Sequence, residues 1–289
     1  MKKIIISLII ILLIVSAGFY FKSNILNIYQ GFTKGVEDFQ RTEIGQTISE
    51  VGKEIFTPAP LNIGGASNKV VLLQSKIIAE TNLQRQENGL PALKENAELN
   101  AAALAKANDM FQNQYFEHMS PAGVDPGELV LNHGYEYIVA GENLLLGNFA
   151  SEKEAVQAWM DSPGHRANIL NNRFSEIGVA VVKGNYNGKS VWLSVQEFGL
   201  PLSTCSGPNV ALKNEIEDKK VQLDQMSAQL DLEKNVIDGT NPRSAQYNSL
   251  INNYNQLVSQ YQSLSLTVKT LISQYNNQIN SFNQCVKGS

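Results

Sequence analysis

From Tyr247 to Cys285 apolar and aromatic residues return at alternating three- and four-residue steps without a slip, through Tyr247, Leu250, Tyr254, Leu257, Tyr261, Leu264, Val268, Leu271, Tyr275, Gln278, Phe282 and Cys285. A repeat kept over more than five heptads suits one long helix that buries a seam against another helix. The partner precedes it: Leu212, Ile216, Leu223, Met226, Leu230 and Ile237 follow the same spacing, interrupted at Lys219 and Glu233, and Asp238-Gly239-Thr240-Asn241-Pro242 supplies a turn. The expectation over 205–285 is an antiparallel coiled-coil hairpin. Helix from Cys285 back to Ser244 spans ~62 Å, and ~44 Å of helix from Asn209 to Asp238 plus ~13 Å of extended chain from Cys205 nearly equals it. Cys205 and Cys285 are therefore expected to meet at the base as a disulfide.

The other end of the chain fixes a compartment. Met1-Lys2-Lys3 precedes an apolar run from Ile4 to Phe21, closed by Lys22. Eighteen helical residues span ~27 Å, enough for a bilayer core, and the leading charges hold that end in the cytoplasm. Residues 1–22 read as a membrane anchor, with a signal peptide cleaved after Val15-Ser16-Ala17 as the alternative. In either case the body lies outside the cytoplasm, where disulfides persist. A net charge of -4 speaks against nucleic acid as a partner. Only three histidines and two cysteines occur, too few for a disulfide-dense scaffold or a four-ligand Cys/His zinc site.

Residues 23–68 read as a juxtamembrane helix and linker, because Ile44, Ile48, Val51 and Ile55 repeat at helical spacing before Thr57-Pro58-Ala59-Pro60 ends the pattern. Residues 69–200 read as a domain with helices first and strands later. Helices are expected from Leu73 to Asn88-Gly89, across the alanine-rich stretch Glu98 to Gln112, from the Ser151/Glu154 capping box, and from Ser162-Pro163 toward Leu170. Ile177, Val179 and Val181 alternate, turn at Asn187-Gly188, and alternate back through Val191, Leu193 and Val195, a hairpin packed on helices.

The chemistry-bearing residues fall in four short texts: Phe116-Glu117-His118-Met119-Ser120-Pro121, Gly141-Glu142-Asn143-Leu144, Trp159 through Leu170 with Ser162-Pro163-Gly164-His165-Arg166 inside it, and Phe174-Ser175-Glu176-Ile177-Gly178-Val179. In that order they resemble the bacterial branch of the CAP superfamily, which groups cysteine-rich secretory proteins, antigen 5 and pathogenesis-related 1 proteins. The resemblance implies an α+β fold, an α-β-α sandwich with a central cleft that collects two histidines and acidic residues. His118, Glu142 and His165 match the family's cleft positions. A second family glutamate, three residues after the tryptophan, has no match, since Ser162 stands there, and Asp161 is a weak substitute.

Two imidazoles and a carboxylate brought together suit zinc or another divalent metal, with a position left for water. His118, Glu142 and His165 are accordingly the expected metal ligands, although their separations of 24 and 23 residues carry no local zinc signature. The leading functional expectation is a tethered binding module for an envelope ligand or protein partner. A metal-dependent hydrolase of envelope peptide or glycan is the second reading, short of a water activator at Ser162. A structural protein that forms homo-oligomers through the coiled coil is the third.

Overall fold

The computed structural model describes residues 53–65 and 70–288. The anchor expected at 1–22 lies outside the described residues, among which no helix is long and apolar enough to cross a membrane. The chain divides into two units, each described by itself.

The first unit is built on one mixed sheet. In chain order its elements are β1 (Glu54–Phe56), β2 (Leu61–Gly64), α1 (Gln74–Glu87), β3 (Lys94–Glu95), α2 (Ala97–Asn113), α3 (Pro126–Asn132), β4 (Tyr137–Gly147), α4 (Glu152–Asp161), α5 (Pro163–Ile169), β5 (Glu176–Tyr186) and β6 (Lys189–Pro201). The sheet order is β1-β4-β6-β5-β3, with β2 also on β4. β4, β6 and β5 are antiparallel to one another, while β1 and β2 run parallel to β4 along its outer edge. β5 and β6 are joined by Asn187-Gly188, both at positive φ, the expected hairpin turn.

Helices cover both faces. α2 lies on β5 and β6 with α3 beside it, and α1, α4 and α5 form the other layer. Ala102, Ala103 and Ala107 are fully buried on α2, and their small side chains let its backbone settle onto the strands. The approach is closest at Gly178, where a Cβ would stand 2.1 Å from the Leu99 carbonyl carbon. Every residue of β4 is buried, so its two faces carry no polar alternation.

The helix ends follow their sequence signals. Asn96 and Asp125 cap α2 and α3 by accepting from Leu99 and Glu128 N–H. Ser151 accepts from Glu154 N–H, while Glu154 reaches back to the N–H of Ala150 rather than that of Ser151. The juxtamembrane helix expected over 23–68 lies outside the described residues up to 52; where the segment is described the helical spacing does not continue, and Glu54–Phe56 and Leu61–Gly64 are strands, because β4 offers an open edge of backbone donors and acceptors. Arg166 donates to the Met160 carbonyl, and Glu176 accepts from Asn96.

The second unit holds a pair of helices, α6 (Val210–Asp238) and, up to Phe282, α7 (Tyr247–Gly288). Ile216, Leu223, Leu230 and Ile237 of α6 form one buried cluster with Tyr254, Leu257, Val258, Tyr261, Val268, Ile272, Tyr275 and Ile279 of α7. The tyrosine row is where the heptads put it, but burial spreads to its other flank at Val258, Ile272 and Ile279, a stripe wider than a strict seam. Gln278 takes no part in that cluster; its side chain accepts from Asn209 N–H at 2.8 Å. Cys205 and Cys285, both in the first unit, form the expected disulfide, with Cα atoms 5.8 Å apart across 80 residues of sequence.

Candidate functional site

β4 and β6 set two glutamates side by side: Glu142 is in register with Glu197, one strand over from Gly178. Paired residues share a face, so both carboxyls point under α2 and are buried at 0% and 1% exposure. Two carboxylates at such a place cannot both ionise cheaply. Burial, and then the neighbouring Glu142, push the Glu197 carboxyl well above the usual range; it keeps its proton and hydrogen-bonds with Glu142. Lys106 of α2 opposes this with its charge. It is itself buried, and burial pulls its ammonium down while Glu142, Glu197, Asp109 and Glu117 hold it up. The ammonium donates to the His118 carbonyl and, at 3.4 Å, to the Tyr115 hydroxyl.

His118 follows α2 and closes this cluster. Its Nδ1 lies 2.5 Å from Glu142 Oε1, and its Nε2 meets the carbonyl of Pro58, in the connection between β1 and β2. A carbonyl only accepts, so Nε2 carries the hydrogen. The other oxygens, Glu142 Oε2 and Glu197 Oε1, are buried without a partner among the described residues.

His165 arrives from the opposite layer. Asn143, next to Glu142 and therefore on the other face, donates to the His165 carbonyl at 3.2 Å and to Gln196 Oε1 at 3.0 Å. Asn168 joins them through Asn143 Oδ1, and Gln196 continues to Thr81. The His165 Nδ1 bonds Ser162 Oγ at 2.8 Å, and this serine makes no cap bond to the helix it starts. Burial, and then the charge of His118, lower His165 to about 4, a contact with the Leu144 backbone partly offsetting them. It is a neutral ring at pH 7, sharing one hydrogen bond with Ser162 through Nδ1. Its Nε2 is buried and unpartnered.

Of the three residues expected as metal ligands, His118 and Glu142 are thus in direct contact, while His165 stands near enough to feel the charge of His118 but bonds Ser162 instead. A metal needs a ring lone pair, and in His118 the Nε2 is protonated toward Pro58 and Nδ1 is bonded to Glu142. Among the described residues no three His, Cys, Asp or Glu side chains are grouped so as to hold a metal ion. The arrangement does not fit one. Asp161 is exposed, accepts from Gln157 and, among the described residues, makes no hydrogen bond with His118, Glu142 or His165. The carboxyl beside Glu142 comes from Glu197, which together with Lys106 and Pro58 the sequence reading does not single out.

Residues 78–198 match the family described as "CAP: Cysteine-rich secretory protein family". Among curated proteins the chain is 39% identical over 133 residues, 46% of its own length and 49% of the relative's, to "Uncharacterized protein YkwD" of Bacillus subtilis (strain 168). It is 29% identical over 113 residues, 39% of its length and 32% of the relative's, to "Uncharacterized membrane protein YlbC" of the same organism. The chain thus spans half or less of the length of these relatives. A solved structure of an extracellular protein containing an SCP domain from Bacillus anthracis overlaps 44% of this chain and 39% of its own, with 30% identity and a TM-score of 0.38.

Proposed function

The chain belongs to the CAP superfamily, as a bacterial member, through residues 78–198, and from that premise we propose that it is an extracytoplasmic binding module whose cleft around His118 recognises an envelope ligand. The observation that supports recognition over hydrolysis is the state of the reactive groups. A general base needs a free lone pair within reach of substrate. Glu197 holds a proton, Glu142 is fully buried against His118, and the Nε2 of His118 donates to a backbone carbonyl. His165 keeps its one free nitrogen buried. The apolar run Ile4 to Phe21 would tether the module to the membrane, and the helix pair, read as a coiled coil, would act as a spacer. The pair also supports self-association, since Val221, Leu232 and Val236 of α6 are more than half exposed at 55%, 67% and 54%.

The test is retention of the purified chain on isolated cell-wall sacculi and on lipid vesicles, with soluble products followed in parallel. Retention that weakens in His118→Ala and releases no fragments is the expected result. Release of fragments, lost in Glu142→Gln, would establish a hydrolase instead, and retention on neither material would end the binding reading. Sedimentation at rising concentration reports the self-association, which a constant monomer mass would refute.

A further inference from the structure

Residues 54–64 form a strap along the outer edge of β4. Glu54, Ile55 and Phe56 pair with Val139, Ala140 and Gly141, and Leu61 and Asn62 pair with Leu145 and Leu146 in the same parallel sense. Five steps of strap therefore oppose four steps of β4, and the extra residue lifts Thr57-Pro58-Ala59-Pro60 off the sheet beside Glu142. The lift puts the Pro58 carbonyl on His118 and the Pro58 ring against Gly164. Asn168 donates to the Phe56 carbonyl at 3.1 Å, and Asn148 N–H donates to the Gly64 carbonyl at 2.7 Å.

This strap is attached as a bound peptide would be. No residue from Lys53 to Gly65 is buried, whereas every residue of β4 is. It is held by main-chain hydrogen bonds, one ion pair from Glu54 to Arg173 at 2.5 Å, edge contact of Phe56 with Phe174, Lys53 over the Tyr137 ring, and one apolar anchor, Ile55, packed against the cluster of Val130, Tyr137 and Ala140. Main-chain pairing on a sheet edge with few side-chain anchors is the chemistry of strand addition. Prolines at 58 and 60 suit the lifted stretch, because they have no N–H to orphan where the ladder breaks and they favour an extended backbone. The strap also lies outside the family match at 78–198.

We propose that the edge of β4, with His118 and Asn168 as anchors for backbone carbonyls, is a receptor for an extended, proline-containing peptide, which residues 54–64 occupy in cis and a peptide of the same kind occupies in trans. The inference rests on the reading of this cleft as a binding surface and names its ligand class. Displacement of the strap frees the Nε2–H of His118 and the Asn168 N–H that meets the Phe56 carbonyl for the incoming chain.

The test uses the full chain with a specific protease site in place of Ala66-Ser67-Asn68-Lys69, and a fluorescent peptide of the sequence Lys53 to Gly65. The uncut protein binds the peptide poorly, and the cut protein binds it saturably by fluorescence anisotropy. His118→Ala weakens that binding about tenfold, the worth of one hydrogen bond, and a peptide with alanine at both proline positions, which keeps the carbonyls but loses the preset extended backbone, also binds more weakly. A cut protein that stays folded by near-ultraviolet circular dichroism yet takes up no peptide overturns the proposal. So does one that unfolds as the strap leaves, or whose own strap never exchanges with excess peptide, since the strap is then a permanent strand. Retention of the cut protein on sacculi without peptide binding removes the peptide class alone; loss of both removes the binding module as well.

Discussion

Glu197→Gln isolates the shared proton beneath α2. Folding at neutral pH must place a proton on Glu197, which the unfolded chain does not hold above the ordinary glutamate range of about 4.3. The native state then binds one proton more than the unfolded state, so stability falls as pH rises, by about 1.4 kcal/mol per pH unit between the ordinary and the folded value. Glutamine has the shape of the protonated acid, can donate to Glu142 from its amide, and needs no proton. The side chain is 1% exposed, so solvent screening does not blunt the effect. Urea unfolding of both proteins at pH 5, 6 and 7 measures it. The variant should gain on the native protein by about 1.4 kcal/mol for each unit below the raised folded value, and the His165 contribution, common to both, cancels in the difference. Equal free energies at pH 5 and pH 7 would mean that Glu197 is ionised in the fold, and the proton-sharing cluster would be wrong.

Further outcomes follow from single contacts. Reduction of Cys205–Cys285 opens a loop of 80 residues and should lower stability by about 4 kcal/mol in the chain-entropy description, read as a shifted urea midpoint with and without dithiothreitol. Gly178→Ala forces a methyl group into the Leu99 backbone and should lose about 3 kcal/mol or fail to fold, whereas a stability within about 0.5 kcal/mol of native would place α2 farther from β5. Zinc at millimolar concentration should leave the thermal midpoint of the uncut chain unchanged, because the Nε2 of His118 has no lone pair to give. A rise of several degrees would show a site assembled from other conformations of the cleft.

The sequence carried the local elements well. α1, α2, α4, α5 and the β5–β6 hairpin follow from caps, alanines and alternation, and the disulfide follows from helix lengths. β4 was invisible because all of Tyr137 to Gly147 is buried and its Gly141-Glu142-Asn143 centre interrupts a short apolar run. Glu197 was hidden for a related reason: its meaning comes from register with Glu142, 55 positions away, and nothing local marks Val195-Gln196-Glu197-Phe198 as a site. The strap was misread because Ile55 continues a helical spacing, while its pairing partner lies far along the chain. The motif resemblance led to His118, Glu142 and His165 but not to what each nitrogen touches, since hydrogen-bond partners such as Pro58 lie outside the motifs.

The protonation of His118 and His165 tests the cleft most directly. Long-range proton–nitrogen correlation of the imidazole rings in the uncut chain, followed from pH 7 to pH 4, reports which nitrogen carries hydrogen. The structure predicts a protonated His118 Nε2 at pH 7 and a His165 ring that stays neutral until about pH 4. A His118 with a bare Nε2, or a His165 that titrates near the ordinary 6.5, would contradict it.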